Sequence, residues 1–245
     1  TFGKDEKVEV DFGDGELKEF ILSDTPQEIS GEVKGSNIKI YTASQVQLKD
    51  FDASGMKLSS VNINKSRALD NLNLNNNELT EIDLSNNFSF NSIQLDNNKL
   101  TTLSIKGLTN MKMLSCDNNQ LESIVFEASA PILSDISWSG NKLKDLSFLS
   151  RASSVEVLDF SHNEVSDYMF TTMYNIRDLN MSYNKFKSVN LAYNTKLEKL
   201  NVEGNYFTYS TLPQTTAQEF VYGNQNPVTI AEKSFMVDLS SEVTF

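Results

Sequence analysis

The residues best able to do chemistry in this sequence are few and scattered. His162 is the only histidine among 245 residues, and an imidazole serves as a general base only where a nucleophile is set against it. No motif brings a serine or the single cysteine, Cys116, into that place, so the chain reads as having no catalytic residue and needing no cofactor. Asp96 and Asp117 hold one position in successive copies of a repeated pattern, which would stand their carboxylates within about 5–7 Å of each other. Like charges that close repel unless something intervenes. Hydrogen bonds from neighbouring Ser and Asn would answer the repulsion, and so would a calcium ion held by hard oxygen ligands. Asp11, Asp14 and Glu16 look similar, but Gly13 and Gly15 fall where ligands would be needed, so a hairpin turn is expected there.

What positions these residues is a repeat. The run Leu69-Asp-Asn-Leu72-Asn-Leu74-Asn-Asn-Asn77-Glu-Leu79 satisfies L-x-x-L-x-L-x-x-N-x-L throughout. Later copies carry Ile93, Leu95 and Asn98; Leu114, Cys116 and Asn119; Ile136, Trp138 and Asn141. Three more carry Leu158, Phe160 and Asn163; Leu179, Met181 and Asn184; Leu200, Val202 and Asn205. With a degenerate first copy through Met56 and a degenerate last through Gln225, this column stands at 56, 77, 98, 119, 141, 163, 184, 205 and 225, in steps of 20 to 22 residues. Such constancy means one structural unit per copy, each burying its apolar face against the next.

Each position in the unit has a mechanical reason. The L-x-L pair alternates with period two, so both side chains point to one face of a short strand, and stacked copies form a parallel sheet. Where the chain leaves that strand its backbone groups lose their ladder partners; an amide side chain, both donor and acceptor, can satisfy them. A second apolar triplet follows each Asn, as in Leu100, Leu103 and Ile105. Too few residues remain for a full helix, so short strands and 3₁₀ turns are expected on that convex side. Cys116 and Trp138 occupy inward positions and read as core filling.

Composition agrees and excludes some classes. Hydrophobic residues make up 39% of the chain, a low share that suits a thin coil with much exposed perimeter. A net charge of −12 disfavours nucleic acid and anionic bilayers as partners. One cysteine excludes an intrachain disulfide framework. No apolar run is long enough to span a membrane, so direct membrane insertion is not expected. The opening Thr1-Phe2-Gly3, without an initiator Met, suggests a mature or trimmed fragment.

The ends depart from the pattern. Lys7 to Phe12 and Glu16 to Ile21 alternate around Asp14-Gly15, which predicts a hairpin, and Ile38 and Ile40 predict a strand leading into the first copy. The expected organisation is an N-terminal β cap over residues 1–46, repeats over 47–207 and a C-terminal cap over 208–245.

These repeats resemble the bacterial leucine-rich repeat family, nearest its internalin-like subclass. The stretch Val10 to Gly15, the stretch Lys34 to Tyr41, and Tyr222, Gln225, Pro227 and Val228 resemble leucine-rich repeat surface proteins of gut anaerobes. The fold class implied is α/β in the leucine-rich repeat sense, mostly β: a right-handed solenoid with a parallel concave sheet. The resemblance further implies an exported, cell-surface or lipoprotein-type molecule acting in adhesion or protein binding, and it transfers no catalytic residue.

Binding would then fall on the concave face. Its columns are short, polar and acid-leaning, and include Asp50, Asp52, Asp96, Asp117, Asp135, Asp159 and Asp178. His162 and, one layer on, Tyr183 would add a small polar-aromatic patch beside them. Two readings stay open for the columns: solvated surface, or a contact wall for a protein ligand. A glycan ligand and a passive spacer role are the alternatives, although a glycan would want a groove of exposed aromatics that these columns lack. Tyr168, Met169, Phe170, Met173 and Tyr174 form an apolar cluster on the convex side and a second candidate surface.

Overall fold

The computed structural model describes residues 6–23, 25, 27–43, 47–126 and 132–227. At the N-terminus, β1 (Glu6–Asp11) pairs antiparallel with β2 (Leu17–Leu22). Asp11 Oδ1 accepts from the amides of Gly13 (2.7 Å) and Gly15 (2.9 Å), which closes the turn and holds the Asp11 carboxyl below its usual range. Asp14 is ion-paired with Lys34 at 2.8 Å. The turn reading of these acids is therefore the one the geometry matches. The strand expected around Ile38 and Ile40 is β3 (Lys39–Thr42), and it pairs antiparallel with the free edge of β1, Val8 opposite Thr42. That pairing gives the inner strand of this three-stranded sheet a partner on both sides and leaves Val8 and Val10 buried.

The copies then stack as predicted. Nine three-residue strands form one parallel sheet: β4 (Asp50–Asp52), β5 (Asn71–Asn73), β6 (Ser92–Gln94), β8 (Met113–Ser115), β10 (Asp135–Ser137), β11 (Val157–Asp159), β12 (Asp178–Asn180), β13 (Lys199–Asn201) and β14 (Glu219–Val221). Register is uniform, Leu72 opposite Ile93, Leu114 opposite Ile136, Leu158 opposite Leu179. From β5 to β13 in this sheet the central residue of each strand and the residue two further on point inward, so Leu72, Leu74, Ile93, Leu95, Leu114 and Cys116 merge into one core running along the coil. The convex side is built as expected: β7 (Thr102–Ser104) pairs with β9 (Ser123–Val125), and 3₁₀ turns cover Ser147–Arg151 and Phe170–Thr172. β14 falls within the span expected to close the C-terminal end; residues 228–245, including Val228, lie outside the described residues.

Trp138 is fully buried in a cluster with Phe126 and Phe148, centroids 6.3 and 5.5 Å away. Burial pushes the Cys116 thiol well up, which leaves it an inert packing group.

The predicted amide ladder is present in every full copy. Asn119 Nδ2 donates to the carbonyls of Leu95 (2.9 Å) and Cys116 (3.1 Å), and its Oδ1 accepts from Leu100 N at 3.0 Å. Asn98 and Asn141 repeat the arrangement one layer to either side, and Gln225 repeats it at the last copy. Each amide thus ties its own layer to the preceding one. Two buried asparagines that the repeat pattern does not single out, Asn87 and Asn194, each donate to two carbonyls of the preceding copy on the other side of the coil.

Candidate functional site

Three consecutive residues at each strand exit face three environments. Around the fourth repeat they are Asp117 on the concave face, Asn118 on its rim and Asn119 in the ladder. The rim residue always turns the chain through the left-handed region: Gly55, Asn76, Asn97, Asn118, Gly140, His162, Tyr183, Gly204 and Asn224 all have φ between +51° and +70°. Glycine adopts that conformation freely and asparagine readily, whereas a Cβ with a bulky group attached is strained there. Seven of the nine positions follow the rule. His162 (φ +53°) and Tyr183 (φ +52°) are the exceptions.

Those two rings lie face to face, centroids 4.3 Å apart and planes within 10°. Both are exposed, Tyr183 to 42%. Tyr183 rests on Gly204, where a Cβ would come within 2.5 Å of the ring. Desolvation, then the nearby Glu203 carboxylate, pushes the Tyr183 hydroxyl up. The serines beside the stack are engaged elsewhere: Ser161 with Ser139 at 2.8 Å, Ser182 with Asn180 at 2.7 Å. The structure therefore brings together the His162–Tyr183 pair expected from the sequence; its left-handed backbone is the part sequence reasoning missed, and the Gly and Asn at the other seven positions carried the signal.

On the concave face the acids are tied into the sheet. Asp96 Oδ1 accepts from Ser115 Oγ (2.6 Å) and Asp117 N (2.8 Å). Asp117 Oδ1 in turn accepts from Ser137 Oγ and Ser139 N, each at 2.7 Å. Burial pushes the Asp117 carboxyl up, the Ser137 hydrogen bond pulls it back, and the Asp96 charge pushes it up again. Asp159 accepts from Ser161 N (2.8 Å) and Asn180 Nδ2 (2.7 Å), and Asp135 from Ser134 Oγ. Asp178 is also raised, by burial set against Lys199, with Asp159 and Glu219 adding to it. Asp50 and Asp52 stand apart on the terminal strand β4, holding Asn71 and Asn73. The seven acids thus do not meet in one pocket; five line the middle of the wall and two mark its end. Among the described residues no group of three or more His, Cys, Asp or Glu is placed to hold a metal ion. Exposed Met113 and Val157 flank Asp135 in one column and give the wall an apolar strip.

The convex cluster divides. Phe170 and Met173 are core, Tyr168 is half-buried with its hydroxyl pushed up to about 12 by desolvation, and Met169 (75% exposed) and Tyr174 face outward. Tyr168 and Met169 line a cleft of about 210 Å³ with Val189 and Asn190. No helix among the described residues is long and apolar enough to cross a membrane.

No family model matches the chain, and no curated protein sequence matches it. Solved structures do. The functional domain of InlJ from Listeria monocytogenes, described as including a cysteine ladder, superposes with a TM-score of 0.56 at 22% identity, over 79% of this chain and 46% of that one. The APL1 leucine-rich repeat domain gives 0.58 at 21% identity, over 69% and 46%. A chain of the LRIM1/APL1C complex gives 0.52 at 22%, over 67% and 33%. The chain spans less than half the length of each of these structures.

Proposed function

From the leucine-rich repeat fold that this chain shares with those structures, we propose that it is a non-catalytic protein-binding module, displayed outside the cell and serving adhesion. The observation that carries the reading is the concave sheet. Nine strands present a continuous wall that no other described element covers, set with polar groups and interrupted by exposed Met113 and Val157. Regular stacking fixes the spacing of those side chains, so the wall is a preorganised surface on which little ordering remains to be done. The hairpin sheet serves as the N-terminal cap and the segment after Phe207 as the C-terminal one. The acids of the wall favour a partner presenting cations, by complementarity of potential. The fold family's mode of use supports the choice of a protein over other ligands, since one partner of the LRIM1/APL1C structure is itself such a chain.

The test compares two faces. A partner captured by the wild-type chain is purified, and its affinity is measured for an Asp135→Lys, Asp159→Lys, Asp178→Lys variant and for a convex Met169→Lys, Tyr174→Lys variant. The wall variant should bind at least about tenfold more weakly, since reversing charges against a complementary partner costs several kcal/mol. Affinity lost only in the convex variant would place the binding surface on the wrong side of the coil for this reading. Labelling of intact producing cells with an antibody to the chain checks the location.

A further inference from the structure

We propose that the His162–Tyr183 stack is an arginine subsite, taking a guanidinium presented by the protein partner. It rests on the protein-binding reading and refines it. The first argument is conformational. The same turn is made seven times with Gly or Asn, so nothing in the fold calls for rings at these two layers, and strain kept where it is unnecessary marks a candidate for function. The second is shape. Two parallel rings 4.3 Å apart, seated on Gly204, form a rigid planar platform at the rim of the wall. One layer before His162 the column holds Gly140, which offers no side chain, and among the described residues the ring face turned that way has no aromatic partner.

Charge then selects the occupant. Asp159 lies in the same layer as His162, and Glu203 lies against Tyr183. Among the described residues Glu203 meets neutral groups there, the Tyr183 hydroxyl and the Asn224 amide. Lys185, the cation nearest Tyr183 along the chain, is bound to Glu164 at 2.7 Å. A guanidinium is planar and delocalised, so it stacks on the open face of the His162 ring while the negative potential of the nearby acids favours its charge. An ammonium lacks the plane; an anionic ligand meets the wrong potential; a neutral sugar gains nothing from the acids.

His162 is the chain's only histidine, so its ring protons report on the site without ambiguity in a proton NMR spectrum. Titration with N-acetyl-arginine amide should move them saturably. N-acetyl-citrulline amide, the neutral isostere, and methyl glucoside should not. Tyr183→Asn, which places at this turn the residue used at Asn118 and removes the ring that backs His162, should keep the melting temperature and weaken arginine binding about two- to fivefold. Glu203→Gln should weaken it as well. Equal shifts with citrulline, a flat arginine titration, or full arginine affinity in Tyr183→Asn would each overturn the proposal; a shift with the glucoside alone would assign the stack to sugars instead. If the titration is flat while the wall variant still loses its protein partner, the subsite falls and the binding wall stands.

Discussion

The amide ladder and the rim column are neighbours in sequence, one residue apart in each layer, yet they obey different rules. Ladder residues are buried and tied to three backbone groups, so from Asn77 to Asn205 every copy uses the same side chain. Rim residues join the next layer through their backbone amides, as Asn118 N does to Ser139 O at 2.8 Å, so the demand on residue type is set by φ. Any residue that tolerates the left-handed region will make the turn, and the side chain beyond Cβ is free to face a partner. Uniformity in the ladder speaks of folding; the two departures in the rim, His162 and Tyr183, are what the proposed arginine subsite accounts for.

The largest effect that tests this contrast is expected inside. Asn119→Ala removes the groups that satisfy Leu100 N, Leu95 O and Cys116 O, and stranded buried polar groups cost about 1–3 kcal/mol. Its neighbour Asn118→Gly keeps the turn and should change stability by no more than about 0.5 kcal/mol. Chemical denaturation of both variants measures the difference. Equal losses would mean that the rim side chain also holds the fold together, and the distinction between the two columns would break.

A somewhat smaller effect should sharpen the rim itself. Gly204 has φ +66° and lies under the Tyr183 ring, with 2.5 Å between its would-be Cβ and the ring. Gly204→Ala therefore meets two penalties: left-handed strain of about 1–2 kcal/mol, and displacement of the stack. In a Tyr183→Gly background the second penalty should vanish. A double-mutant cycle on thermal stability should show coupling of at least about 0.5 kcal/mol. Additive losses would mean that Tyr183 moves aside freely and that its platform is not rigid.

Much of this architecture is legible in the sequence, for a physical reason. Leu72 and Leu74, or Asn98 and Asn119, answer to constraints that recur with every layer, and recurrence at fixed spacing is visible without coordinates. Strand β3 is less legible because its partner is distant in sequence: Lys39–Thr42 closes onto Glu6–Asp11, a pairing that alternation alone does not specify. The convex cluster is read only in part, since apolar type does not tell Phe170, inside, from Met169, outside. For the site, the columns and the juxtaposition of His162 with Tyr183 follow from register. Their backbone strain follows only from seeing seven Gly and Asn as one conformational demand.

Between ladder and rim in kind stands Asp117, half-buried on the wall, and it offers the most delicate test. Its folded pKa is raised, first by burial, so the folded chain holds this proton more tightly than the unfolded chain does. The ionised form thus carries a cost that is present at neutral pH and is relieved as pH falls through the folded pKa toward the ordinary aspartate value of about 4. Asp117→Asn removes that cost while its side-chain carbonyl can still accept from Ser139 N. At neutral pH the variant should melt at the same temperature as wild type or slightly above it, and the gap should close on acidification. A variant that melts lower at neutral pH would show that the charged hydrogen bonds from Ser137 and Ser139 outweigh burial, making the acids of the wall contributors to the fold in the way the ladder is, and not groups held ready for a cation.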